Sequence, residues 1–224
     1  MADSTHQPTP TDGKRDAEPC PPWCRADHIN SAEHSGRVVA VQLAEPVHLG
    51  ETRPPDLLVA LHQDPGTGPQ IILSHEDRPE EYPLTPAEAR KLSGHLAALA
   101  VSAETAPSTD RDAATVTARP SWLADHCPRW CENSGDHSGH DHYSNRRHLG
   151  PSREVILTAV DDHRTARQEQ PPMARAHLFQ HYREIGPRID IARDDTPVGI
   201  QFTLEEAENF AHKLLAIVSM ARTE

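Results

Sequence analysis

The feature that most constrains this chain is a repeat: Cys20-Pro21-Pro22-Trp23-Cys24 recurs as Cys127-Pro128-Arg129-Trp130-Cys131. Each pentapeptide is followed by an Asp-His pair, Asp27-His28 and Asp136-His137, and then by His-x-Gly, His34-Ser35-Gly36 and His148-Leu149-Gly150. Self-similarity of this kind marks a copied supersecondary unit, so the 224 residues are read as two small domains rather than one large one. From Pro69 to Ala103 the first copy aligns without a gap onto Pro187 to Ala221, a constant shift of 118 residues. The cysteines are shifted by 107, so the 11 residues gained by the second copy lie in its histidine-rich loop and first inter-strand loops, where insertions are tolerated. The expected organisation is a tail over 1–17, copy one over 18–103, a flexible Ala/Thr/Ser/Pro-rich linker over 104–121 and copy two over 122–222.

Within each copy the pattern reads as strands closed by a helix. Arg37–Leu43, Leu57–His62 and Gln70–Ser74 are short, apolar and bounded by Gly/Pro turns; the second copy supplies Glu154–Val160, Ala174–Tyr182, Arg188–Ala192 and, as a fourth, Val198–Phe202. Pro83 weakens the matching fourth strand of copy one, which is expected to be an edge or irregular piece. Thr85-Pro86-Ala87-Glu88 and Thr203-Leu204-Glu205-Glu206 are capping boxes, followed by apolar residues at helical spacing. The fold class is therefore α+β in two tandem repeats, each a small, mainly antiparallel sheet with a C-terminal helix on its face, an N-terminal Cys/His zinc knuckle and its own core. The likeness of the copies also allows them to pack together as an intramolecular pseudo-dimer.

Two cysteines spaced C-x3-C can present both thiolates to one ion, and an ion holding two thiolates usually completes a tetrahedron with imidazoles. In the first copy His28 and His34 are the only histidines between the knuckle and the first strand, giving Cys20, Cys24, His28 and His34 as metal ligands. The second copy offers His137, His140, His142 and His148; the repeat selects Cys127, Cys131, His137 and His148, with His140 and His142 able to substitute. About two structural zinc ions per chain are expected, with no catalytic or cofactor-binding residue beyond them. Trp23 and Trp130 are read as core residues that seat the knuckles.

A net charge of −12 argues against a nucleic-acid binder, which gains affinity by neutralising phosphates, and favours another protein as partner. Arg146, Arg147 and Arg153 form the one local basic patch, read as a solvated face, although a nucleic-acid-binding zinc role through it is an alternative. No stretch approaches the ~20 apolar residues of a membrane span, and residues 1–19 lack a signal-type apolar core, so a cytoplasmic location is expected. Reducing conditions there favour metal-bound cysteines over disulfides. A catalytic zinc keeps an open position, whereas two cysteines plus two histidines fill the shell. No H-E-x-x-H, G-x-S-x-G or phosphate-binding glycine motif occurs, and a metal-dependent enzyme would need an open zinc position at the second knuckle.

The C-P-x-W-C pentapeptide, the histidines after it, the Gly/Pro-bounded strands and the closing T-x-x-E helix resemble a bacterial family, common in actinomycetes, known as a domain of unknown function. The resemblance covers 18–103 and 122–222, and its specific part is Cys20 with Cys24 and Cys127 with Cys131. It implies a small zinc-type module that occurs alone or in tandem, and it implies no activity.

Overall fold

A computed structural model describes residues 20–28, 32–43, 56–75, 78–105, 127–132, 137, 142, 146–159, 171–194 and 199–222. The expected tail over 1–17, nearly all of the expected linker and His140 lie outside them. In chain order the elements are β1 (His34–Ser35), β2 (Val39–Gln42), β3 (Asp56–Gln63), β4 (Gln70–His75), β5 (Arg78–Leu84), α1 (Pro86–Thr105), β6 (Arg147–Ile156), β7 (Met173–His181), β8 (Arg188–Arg193), β9 (Ile200–Thr203) and α2 (Leu204–Met220).

Two antiparallel sheets result. The first runs β1-β3-β4-β5, with β2 also paired to β3, and the second runs β6-β7-β8-β9. Alternation sets which face is buried: in β3, Leu57, Val59, Leu61 and Gln63 point inward while Asp56, Leu58, Ala60 and His62 are half-buried on the other side. Gly66, at φ 76°, supplies the left-handed turn between β3 and β4. The proline-bearing β5 is an edge strand, where a missing N–H costs no ladder bond, and the register shifts between Ser74 and His75.

Both helices start on reciprocal caps. Thr85 N–H donates to Glu88 Oε2 at 2.7 Å and Glu88 N–H to Thr85 Oγ1 at 3.2 Å; Thr203 and Glu206 repeat the pair at 2.7 and 3.2 Å. The buried faces are also equivalent: Ala89, Leu92, Ser93, Leu96, Leu99 and Ala100 of α1 stand 118 residues before Ala207, Phe210, Ala211, Leu214, Ile217 and Val218 of α2. These faces meet. Ser93 Oγ donates to the Ala211 carbonyl at 2.9 Å, a bond between equivalent positions whose small side chains let the backbones approach.

Each sheet is followed by a C-terminal helix that packs on it, as expected, but the expectation of a separate core for each copy does not hold. Helix α1 packs on β4 and β5 of its own sheet and also on β6, β7 and β8 of the other. Buried residues of both copies form one continuous cluster, from Trp23 and Leu57 through Leu96 and Phe210 to Ile189. The physical reason is supply: with aromatics at 4% of the chain, one small sheet and one helix enclose little apolar volume, and sharing the helix pair adds apolar cover to each sheet. Polar clasps cross the same boundary. Glu88 Oε1 accepts from Thr158 N–H and Oγ1, both at 2.6 Å, and Arg193 Nη1 donates to the Glu81 carbonyl at 2.7 Å with its guanidinium over the Tyr82 ring.

Leu96→Ala removes a fully buried side chain from this shared cluster and should cost about 2–5 kcal/mol. Because the core is continuous, both sheets should unfold in one transition by calorimetry, displaced as a whole. A variant whose second copy melts at the unaltered temperature would contradict a shared core.

Candidate metal centres

Each site is built from a tight turn and the strand that follows it. In the first knuckle the Cys24 N–H bonds the Pro21 carbonyl at 2.9 Å, closing a turn that the prolines pre-set, and the Arg25 N–H bonds the Ser35 carbonyl at 2.8 Å. The second knuckle repeats both: Cys131 N–H to Pro128 carbonyl at 3.0 Å, and Glu132 N–H to Leu149 carbonyl at 2.8 Å. The knuckle is therefore hydrogen-bonded to the strand that carries the last histidine, His34 on β1 and His148 on β6. Sequence reading started β6 at Glu154; the strand in fact begins at Arg147, and a register shift between Leu149 and Ser152 accommodates the run across Gly150 and Pro151.

The structure brings all eight of the singled-out residues together as two separate groups, Cys20, Cys24, His28, His34 and Cys127, Cys131, His137, His148. Within each group the four donor atoms lie within 4.8 Å of one another. Cys20 Sγ and Cys24 Sγ are each 3.4 Å from His28 Nε2. Cys127 Sγ is 3.4 Å from both His137 Nε2 and His148 Nδ1, and Cys131 Sγ is 3.6 Å from His137 Nε2. A tetrahedral ion with metal–sulfur bonds of ~2.3 Å and metal–nitrogen bonds of ~2.0 Å sets sulfur and nitrogen donors about 3.5 Å apart, which the sulfur–nitrogen separations of 3.4 to 3.6 Å match. Both groups could hold a metal ion. His34 adds to the fit, its buried ring standing beside the Cys24 thiol. His142 is exposed and is not part of the second group.

The tryptophans explain the spacing. Trp23 and Trp130 are buried and stand edge-on to the strand histidines, with ring centroids 6.4 Å from His34 and 6.1 Å from His148. The two histidines of each group are likewise perpendicular, their centroids 4.9 Å apart in both copies. The glycine of His-x-Gly makes room for the indole: a Cβ on Gly150 would lie 2.8 Å from Trp130 Cε3 and 3.1 Å from Leu178 Cβ, and one on Gly36 would lie 3.1 Å from Leu61 Cβ and 3.4 Å from Trp23 Cε3.

Electrostatics differ between the copies. All four cysteines are free thiols. For Cys131 the hydrogen bond with Cys127 is the largest influence and outweighs burial; with His148, the Leu149 backbone and His137 it brings the thiol down to about 4. For Cys24 burial acts upward, but the Ala26 N–H at 3.4 Å, His34, Cys20 and the Ser35 backbone together bring it to about 6. Cys20 moves up, through desolvation and the adjoining Cys24. In each pair the surrounding donors favour the thiolate form of one cysteine, Cys24 in the first and Cys131 in the second. The first group is the more open, with Cys20 and His28 exposed, while Cys131 and His148 of the second are buried.

Elsewhere, the register aligns Ser152, His177 and Asp190 across three strands of the second sheet, a row that sequence reading passed over because its members are far apart in the chain. His177 Nδ1 lies 3.9 Å from Asp190 Oδ2, beyond hydrogen-bonding length, on an outward strand face rather than in a cleft. In the basic patch, Arg146 stacks 5.8 Å and Arg183 5.1 Å from the Tyr182 centroid, a contact that fixes Arg146 against its own sheet.

The family model described as Domain of unknown function (DUF6907) matches the chain twice, over residues 6–111 and 105–223. The chain belongs to this family and carries its domain in tandem. No curated protein and no solved structure matches it. Among the described residues no helix is long and apolar enough to cross a membrane.

Two outcomes follow for the centres. Gly150→Ala should destabilise the second knuckle by about 1–3 kcal/mol through overpacking on Trp130, and more than Gly36→Ala does the first; melting curves of the two variants compare them. In metal-free, reduced protein, thiolate absorbance near 240 nm should show a step at about 4 that Cys131→Ser removes. Because this pKa is lowered on folding from the model thiol value of 9.0, its stabilisation is full above 9.0 and is lost as pH falls through about 4. A titration with every thiol near 9 would contradict the donor arrangement.

Proposed function

We propose, from a chain that is two joined copies of a domain of unknown function, that it is a non-enzymatic interaction module whose knuckles each hold one structural zinc ion. The observation that carries the reading is the pair of four-donor sets, two sulfurs and two imidazole nitrogens within 4.8 Å of one another in each; an ion held by all four would have its tetrahedral shell filled by the protein. Sulfur with imidazole in that geometry suits zinc, whereas Mg2+ and Ca2+ take oxygen donors. The zinc would tie each knuckle to its sheet, and structural zinc in small modules contributes about 10–16 kcal/mol of apparent binding free energy. Such an ion supplies what this aromatic-poor core lacks. Free thiols in two such sets fit a cytoplasmic location, and a net charge of −12 fits a neutral or basic protein partner.

A catalytic zinc is the rival outcome, and coordination chemistry separates the two. Protein purified without chelator should carry two zinc ions per chain by elemental analysis, and Cys24→Ser and Cys131→Ser should each weaken retention of one. After cobalt substitution, the visible spectrum should be four-coordinate and indifferent to azide. A spectrum that shifts with azide would assign an open position and catalysis; protein with no bound metal and a melting curve unmoved by EDTA would remove the zinc reading altogether.

A further inference from the structure

The two copies provide an internal comparison of the solvent-facing side of each sheet. In the first, pairing places Ala40 opposite Leu58 and lines up Ala60, Ile72 and Pro83, with Val38 one residue before the Val39–Val59 pair. In the second, Glu154 stands opposite Arg175, and Ser152, His177, Asp190 and Gln201 form the matching row. Position for position, Val38, Ala40, Leu58, Ala60, Ile72 and Pro83 are replaced by Ser152, Glu154, Arg175, His177, Asp190 and Gln201. The second sheet shows that this fold accepts polar side chains on its outer face, which is the usual arrangement for an antiparallel sheet with one wet side. The apolar row of the first sheet is therefore not a requirement of folding. Val38 is 54% exposed, and Ala40 is exposed beside it. Leu58, Ala60, Ile72 and Pro83 are half-buried beside them, so the two copies differ in the polarity of this face and not in its burial against the core.

Size and charge select the occupant. The apolar row through Ala60, Ile72 and Pro83 spans about 15 Å from β2 to β5 at ~4.8 Å per strand, and a second row adds Ala40 and Leu58 before it turns polar at Ser74 and Glu81. A second copy of this chain would set the acidic side chains of this face, Asp56 and Glu81, against their own like charges, which disfavours self-association and favours a basic partner. The span of the row equals about ten residues of α-helix at 1.5 Å per residue. On the same face Asp56 and Glu81 flank the row at adjoining register positions. Over residues 18–103 acidic side chains number 12 against 6 basic, a balance of −6.

We propose that the outer face of the first sheet docks a short amphipathic helix of another protein, with an aliphatic stripe over Leu58, Ala60 and Ile72 and flanking Lys or Arg toward Asp56 and Glu81. This rests on the reading of the chain as an interaction module and assigns that role to one face of one copy. The second copy then serves as the helix-sharing support that completes the core beneath it.

The test uses the full-length, metal-loaded chain and a fluorescein-labelled 14-residue helical peptide with Leu at i, i+3, i+4 and i+7 and Lys at its polar positions. The triple variant Leu58→Arg, Ala60→His, Ile72→Asp installs the residues that the second copy carries, leaves the formal charge unchanged and should keep the melting temperature of the parent. Anisotropy should show saturable binding to the parent, at least about tenfold weaker binding to the variant, and at least about tenfold weaker binding of a peptide with Glu in place of Lys. Equal affinity of parent and variant, or no saturable binding, would overturn the proposal. So would sedimentation showing a dimer of the parent that the variant abolishes, since the occupant would then be a second copy. Metal content measured on the same samples separates this result from a failure of the zinc reading, which would appear as chains without ions whatever the peptide does.

Discussion

Each copy depends on one hydrogen-bonded unit: a tight turn between two cysteines, tied to the strand that carries the last histidine. The hydrogen bond from knuckle to strand, Arg25 N–H to Ser35 carbonyl and Glu132 N–H to Leu149 carbonyl, brings thiols and imidazoles within reach of a single ion. The buried tryptophan fills the space beneath, and the glycine two residues after the strand histidine admits its ring. Remove any of these and the N-terminal segment has little apolar surface of its own with which to stay on the sheet.

The second constraint is the shortage of apolar material. A single sheet with a single helix encloses little apolar volume, and the molecule answers by bringing the two helices together at Ser93 and Ala211 and letting α1 lie on both sheets. Duplication thereby produces one core shared by both copies. The arrangement frees the outer faces from any duty in folding, so the copies could diverge there, one apolar around Leu58 and Ile72, the other polar around Arg175 and Asp190.

Much of this was legible in the sequence because it is local. Capping boxes, strand alternation and the C-x3-C turn are set by neighbours a few residues apart, and the repeat supplied the comparison that picked His137 and His148 from a histidine-rich loop. What escaped was set at a distance. The start of β6 at Arg147 is fixed by pairing with His181, not by its own run of Arg, His, Gly and Pro, which reads as loop. The two-residue β1 is a strand only because His34 and Ser35 face Gln63 and His62. The shared core was hidden for the same reason: a helix stripe records that a face is buried and does not record against which sheet. The row through Ser152, His177 and Asp190 appears only once register is known.

The central claim is that each knuckle closes around one ion with two sulfurs and two ring nitrogens, and X-ray absorption at the zinc K-edge measures that shell directly. The account predicts an average of two sulfurs at ~2.3 Å and two nitrogens at ~2.0 Å, with imidazole outer-shell scattering, in the full chain. A shell containing a light-atom ligand without that imidazole signature, or one dominated by oxygen and nitrogen with no sulfur, would contradict it.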